Sequence, residues 1–164
     1  MKSLSQPTLC NNVFIAEGAI VRGNVTLNEY VNVWFNAVIR GDADSIIIGK
    51  NTNIQDNCVL HVDKNTPLLI GENVTIGHGA IVHGCTIGNN SLIGMGAIIL
   101  NNAVIGNNCI VGAGALVTQN TIIPDNSLVI GNPAKIKRTV RVEEIKDIAD
   151  NAVHYVNEAS LYLK

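Results

Sequence analysis

An all-β solenoid, a triangular prism of stacked parallel strands followed by one carboxy-terminal helix, is the fold this sequence predicts, on three observations. Aliphatic residues recur every six positions through Leu9, Ile15, Val21, Leu27, Val33 and Ile39, and again through Ile87, Ile93, Ile99, Ile105, Val111, Val117, Ile123 and Val129. Four positions after nearly every one stands a small residue, such as Ala19, Ala37, Cys58, Ala80, Ala97, Cys109 or Ala115. Gly and Asn, which tolerate the backbone of sharp corners, recur between them, as in the Ile-Gly-Asn-Asn runs at 87–90 and 105–108. So regular a period marks a repeat architecture. Three hexads close an 18-residue coil, so each short strand lies over the strand one coil earlier, at the ladder spacing of about 4.8 Å.

From Leu9 to Ile39 the hexads run without interruption. The period then breaks: Ile39 to Ile48 is three residues too long, Leu60 to Ile70 four too long, and Val82 to Ile87 one too short. The first two breaks predict loops pushed outward at 42–47 and 62–69, and outward loops on repeat proteins often border sites. Between and after them Ile54, Leu60, Ile76 and Val82 keep the inward phase, and regular hexads resume at Ile87. Beyond Pro133 the spacing of Ile145, Ile148, Ala149, Ala152, Val156 and Ala159 is helical, with Glu143 and Glu144 where a helix start favours acids. One amphipathic helix is expected over about 142–161, packed on the prism or on a neighbour. The chain therefore divides into a β-helix domain at 1–136 and a helical segment at 137–164.

A length of 164 residues and an apolar fraction of 47% suffice for one core, and only 4% of residues are aromatic. A core of Ile, Val and Ala suits tightly stacked short strands. The net charge of -2 and 15% of charged residues leave no electrostatic footprint for nucleic acid or an anionic membrane. Residues 1–10 lack the apolar stretch of a signal peptide, no segment approaches a membrane span, and cytoplasmic residence is expected. No Cys-x-x-Cys pair exists, Cys58 and Cys109 fall in the small inward slot, and the four cysteines are expected to be reduced core thiols.

Hexad phase also says where the histidines point. His61 and His83 each follow an inward aliphatic by one residue, one coil apart, so they stack on one outer face, with Arg40 in the same column one coil below. His78 stands two residues after Ile76, on the preceding face, above Asp56 and near Gln55. Two stacked imidazoles can share one ion at about 2.0–2.1 Å each, and the remaining ligand comes most easily from another copy of the chain. Such a contact joins two different faces, so it must close into a ring, and three prisms around an axis give the simplest one. A homotrimer with His61, His78 and His83 around a metal is therefore expected. Three neutral nitrogens with an open fourth position is the pattern of catalytic zinc, although Fe(II), Co(II) and Ni(II) also suit three imidazoles. His154, on the helix and away from the ladder, is expected to be a solvated side chain.

The run Trp34-Phe35-Asn36-Ala37-Val38-Ile39-Arg40-Gly41-Asp42, then Thr52-Asn53-Ile54-Gln55-Asp56, His61, and Val74-Thr75-Ile76-Gly77-His78 through His83-Gly84-Cys85, resembles the gamma-class carbonic anhydrases over nearly the whole chain. The resemblance implies a left-handed parallel β-helix of hexapeptide repeats with a C-terminal α-helix, and a trimer with interfacial zinc. It further implies a lyase that reversibly hydrates CO2 to bicarbonate by a metal-bound hydroxide at the subunit interface. Carried over by position, His61, His78 and His83 match the zinc ligands, and Gln55 matches the residue that orients the water, with Asn53 beside it. Arg40 and Asp56 match a charge pair across the subunit boundary, Asp42 belongs to the same network, and Trp34 is expected at an interface or in packing. Tyr155 and Asn157, as Tyr-x-Asn on the helix, match residues reaching the site, and Asp42 or Tyr155 is the candidate proton relay. The glutamates that shuttle protons in the best-studied type of the family are missing: Ala43 follows Asp42, and the loop Val62-Asp63-Lys64-Asn65-Thr66-Pro67 offers one acid. Two alternatives stay open. The hexad ladder also resembles acetyl- and acyl-transferases that bind coenzyme A between prisms, with acyl-CoA thioester hydrolysis as a variant, and a trimeric scaffold would use the metal only to fasten subunits.

Overall fold

The computed structural model describes residues 5–163, so the expected domain limits at 1 and 164 lie outside it. Among the described residues the chain forms short strands and then the helix Val142–Tyr162. The strands make an 11-stranded sheet that covers two walls of the prism and an 8-stranded sheet on the third. The named strands of the described residues pair in parallel except at the end, where Ala134–Thr139 runs antiparallel to Ser127–Gly131. This is the hexapeptide-repeat left-handed β-helix with one carboxy-terminal helix. The final strand crosses the expected limit at 136, because Asn132 and Pro133 turn the chain back on the last coil. Among the described residues no helix is long and apolar enough to cross a membrane.

One residue per hexad points inward. Ile39, Ile48, Ile54, Leu60, Ile76, Val82, Ile93 and Ile99 have no exposed surface, and Ala37, Cys58, Ala80, Ala97 and Cys109 fill the narrow slots between them. Each large side chain so buried stabilises the prism by about 1.5–3 kcal/mol. Leu9 departs from its expected inward place: it is exposed because its strand, among the described residues, pairs on one edge only, with Thr26 and Leu27. Cys58, Cys85 and Cys109 are core thiols, and burial pushes Cys58 up to about 11 and Cys85 up to about 12, which keeps them unreactive. Cys10 is exposed, against the expectation that all four cysteines are core residues, since it too lies on the first coil.

The corners are left-handed single residues, mostly asparagines: Asn36, Asn57, Asn90, Asn108 and Asn126 have φ from 53 to 60°. Stacked corner amides join coils, Asn90 Nδ2 donating to Asn108 Oδ1 and Asn108 Nδ2 to Asn126 Oδ1.

Both expected loops differ in detail. Residues 42–47 are not a loop but part of the continuous strand Val38–Ile48, which bulges between Gly41 and Ile46 opposite Gly23 and Val25. The ladder on both sides is strong enough to keep the three extra residues extended. In the second break Val62 and Leu68 are fully buried, so only 63–67 project, closed by an antiparallel bridge between Asp63 and Thr66.

The helix lies on the 8-stranded wall, with Ile148, Ala152 and Ala159 buried against it. Its first turn is anchored by Glu144, which accepts from the Arg141 backbone N–H and takes the Arg138 guanidinium on both oxygens. At the other end Trp34 is buried, edge-on to Phe14, Tyr155 and Tyr162, and its Nε1 donates to Asn32.

Candidate functional site

Parallel register puts Arg22, Arg40, His61 and His83 in one column of one wall. His61 Nδ1 faces His83 Nε2 at 3.0 Å. The outer nitrogens are held as well: His61 Nε2 lies 2.9 Å from Asp42 Oδ1, and His83 Nδ1 lies 2.5 Å from Asn101 Oδ1. Asp42 pairs its other oxygen with Arg40, and Asn101 donates from Nδ2 to Asp63 Oδ2 at 2.8 Å.

Carboxylate and carbonyl oxygens only accept, so the hydrogen of each neutral ring sits on its outer nitrogen. Two lone pairs then face each other across 3.0 Å, a repulsive contact that a cation between them converts into coordination. Two nitrogen ligands of a tetrahedral ion at 2.0–2.1 Å lie about 3.3 Å apart, close to the spacing the wall provides. The Asp63 carboxylate completes a group of three potential ligand atoms within 4.8 Å of one another. The donor set therefore fits a divalent transition metal.

His78 is absent from that group and stands around a corner of the prism, on the wall that carries the helix. Gly77 and Gly79 flank it: Gly79 has φ +68°, and a Cβ on Gly77 would lie 2.8 Å from the Ile93 carbonyl oxygen. His78 Nδ1 lies 2.9 Å from Asp56 Oδ2, which leaves its Nε2 bare and half exposed. Its backbone N–H donates to Gln55 Oε1 at 3.1 Å, while Gln55 Nε2 donates to Asn53 Oδ1 and Asn53 to Thr75 Oγ1.

Gln55, His78 and Tyr155 line one end of a groove of about 540 Å³ between the helix and the wall, whose other lining is largely aliphatic, from Leu92, Met95, Ile110 and Ile148. The hydrogen bond from His61, together with Arg40, holds the Asp42 carboxyl below the usual carboxylate range. Burial, with Asp56 nearby, raises the Tyr155 hydroxyl.

Several expected residues are thus brought together and others are not. His61, His83, Arg40 and Asp42 form one cluster; His78, Gln55, Asn53, Asp56 and Tyr155 form a second. Arg40 and Asp56 do not meet within the protomer, since Arg40 binds Asp42 and Asp56 binds His78. Asn157 is solvent-exposed and does not line the groove, so its expected reach to the site is not seen in the protomer. Asn151, six residues earlier on the helix, does line it, donating to Thr75 Oγ1 at 2.9 Å. Sequence reasoning missed Asn101 as the partner of His83, and Asp63 as the partner of Asn101. The coil here is one residue short, Val82 pairing with Ile99, so the phase count that stacked the histidines puts Leu100 over His83 and passes Asn101 by, one place further on.

The family described as bacterial transferase hexapeptide (six repeats) matches at residues 68–101 and 84–119. A protein named "Probable carbonic anhydrase" from Methanocaldococcus jannaschii is 57% identical over 90% of this chain and 93% of its own. Gamma carbonic anhydrase 2, mitochondrial, of Arabidopsis thaliana is 42% identical over 95% of this chain, which spans 58% of that longer protein. This chain belongs to the gamma-class carbonic anhydrase family. The solenoid is similar to that of a solved hexapeptide transferase family protein from Anaplasma phagocytophilum, at TM-score 0.92 and 38% identity, covering 95% of this chain and 92% of that one.

Proposed function

We propose that this chain is a zinc-dependent carbonic anhydrase that interconverts CO2 and bicarbonate at a site completed between the subunits of a homotrimer. The observation that carries the metal is the His61–His83 pair, whose lone pairs converge at 3.0 Å because Asp42 and Asn101 hold the outer nitrogens. His61 and His83 of one protomer and His78 of the next would hold the ion. An ion so bound supplies Lewis acidity, which makes water a nucleophile at neutral pH.

The chain's own residues do the rest. Gln55 fixes the corner that presents His78 and, in its buried hydrogen-bond chain with Asn53 and Thr75, cannot swing away. The groove beside it, largely aliphatic away from Gln55 and His78, offers an apolar approach for a gas molecule. Arg40 and Asp56 stand on the two walls that would meet, ready to exchange partners across the boundary. Ile20, Val59 and Ile81 are exposed along the wall of the stacked histidines, an apolar strip that supports burial against another copy. Cytoplasmic residence belongs to the same proposal, supported by three unpaired thiols in the core.

Proton release is the weak step. Asp42 is a poor acceptor while His61 and Arg40 hold it ionised, and Tyr155 keeps its proton. Turnover is expected to rise with buffer concentration at fixed pH and ionic strength, as stopped-flow hydration would show.

The deciding experiment pairs element-resolved metal analysis of anaerobically purified protein with a CO2 hydration assay, on wild type and His83→Ala. One zinc per trimeric chain, with hydration lost in the variant, supports the proposal. Wild-type protein that holds zinc and forms the trimer without hydrating CO2 would leave a scaffold, and wild type without metal that turns over an acyl-CoA would leave the transferase alternative.

A further inference from the structure

Asp63 stands in the projecting loop after His61, two residues on, near enough to the histidine pair to count among potential ligand atoms but outside the three-histidine set proposed above. Its Oδ2 accepts from Asn101 Nδ2 at 2.8 Å, and Asn101 turns its Oδ1 to His83 Nδ1 at 2.5 Å. The three groups come from separate coils, Asp63 and Asn101 being 38 residues apart.

From this geometry we propose that Asp63 and Asn101 form an orienting relay that keeps His83 in its Nδ1–H form and so keeps the Nε2 lone pair open for a metal. Asn101 is a positioning residue for His83, and Asp63 is the positioning residue for Asn101. The inference rests on the metal site proposed above, but its first readout does not need the metal.

A competing arrangement of the same groups explains why a relay is needed. In the absence of an ion, the 3.0 Å gap between His61 Nδ1 and His83 Nε2 is an ordinary hydrogen-bond length. If His83 moved its hydrogen to Nε2 it would donate to His61 and seal the pair against any ion. His83 Nδ1 would then need a donor, which Asn101 supplies if its amide turns over by half a rotation. That turn brings Asn101 Oδ1 against the Asp63 carboxylate, two acceptors in contact and one hydrogen bond lost. Asp63 is therefore the group that makes the sealed arrangement costly. His61 has no such choice, because Asp42 carries only acceptor oxygens.

The test reads the ring nitrogens of 15N-histidine-labelled, metal-free protein by NMR, and then zinc affinity by chelator competition. Asp63→Ala frees the Asn101 amide to turn, and Asn101→Leu removes the partner outright. In both, His83 is expected to shift from Nδ1–H toward Nε2–H, and zinc affinity to fall about 10- to 100-fold, the usual effect of losing a partner behind a metal ligand. Asn101→Asp added to Asp63→Ala offers His83 two acceptor oxygens and no donor, so the double variant is expected to restore the Nδ1–H form and most of the affinity. A packing role for either residue predicts no such rescue. His83 remaining Nδ1–H in both single variants, or a double variant that stays Nε2–H, would overturn the relay. Wild type that is Nδ1–H yet takes up no zinc would uphold the relay and remove the metal reading instead.

Discussion

The coils above Thr86 and those from Val38 to His83 are made of the same hexad, and they differ in where the period is interrupted. Above, Thr86 stacks on Val104 and Ile122, Leu92 on Ile110 and Leu128, and Ile98 on Leu116, every step being 18 residues. Below, two insertions break the count, and each delivers one carboxylate. The bulge after Gly41 brings Asp42 to His61, and the loop after Val62 brings Asp63 to Asn101 behind His83. Ile39, Ile46, Leu60 and Leu68 nevertheless stay fully buried on either side. A solenoid can thus acquire charged groups by lengthening a coil outward, at no cost to the inward ladder that holds it together.

The sharpest break in that comparison is His61→Ala. It is expected to abolish metal binding and hydration while leaving the far-ultraviolet circular dichroism of the stack intact, because the ring lies outside the core. In the upper coils the converse should hold: Ile99→Ala opens a cavity among fully buried neighbours. It should lower unfolding free energy by about 2–5 kcal/mol in urea titrations, with one zinc retained per folded chain. Asp42→Asn is expected to act between these. Its amide can donate where only acceptance is wanted, so zinc affinity should fall about 10-fold, with stability changed by no more than about 0.5 kcal/mol.

The mildest effect is expected away from both regions, at the helix start. Arg138, followed by the Arg141 backbone, lowers Glu144 to about 2 from 4.5. A carboxylate held down on folding contributes stability that is full above its unfolded value and lost as pH falls through the folded one. The urea midpoint of wild type should therefore exceed that of Glu144→Gln at pH 6, and the gap should close between about pH 4.5 and 2.

The ladder itself was legible because burial permits little choice: a fixed inward slot every six residues can only be met by aliphatic and small side chains, and they can be counted. The same count placed His61 over Arg40 and under His83, as the register shows. What it did not give is how an insertion lies. Length alone cannot separate a loop from a bulge, and residues 42–45, which pair with neither neighbour, stay in the strand because pairing resumes on both edges at Ile46, with Val25 and Leu68. Asn101 escaped for another reason. Asparagine is so common at these corners that one turning its amide inward to a histidine looks like the rest. The reversal of the last strand carried only Asn132-Pro133-Ala134 as a signal, and a hexad count has no way to announce its own end.

That reversal closes one wall of the prism. Parallel coils could in principle be added indefinitely, since each finished turn offers the next an unsatisfied rim of amides and carbonyls, the same rim on which fibrous aggregates grow. Ala134–Thr139 lies down on one side of that rim in the opposite direction, and brings Lys135, Lys137 and Arg138 with it. On that wall an incoming chain meets positive charge and a strand running the opposite way, which blunts the edge against further parallel pairing.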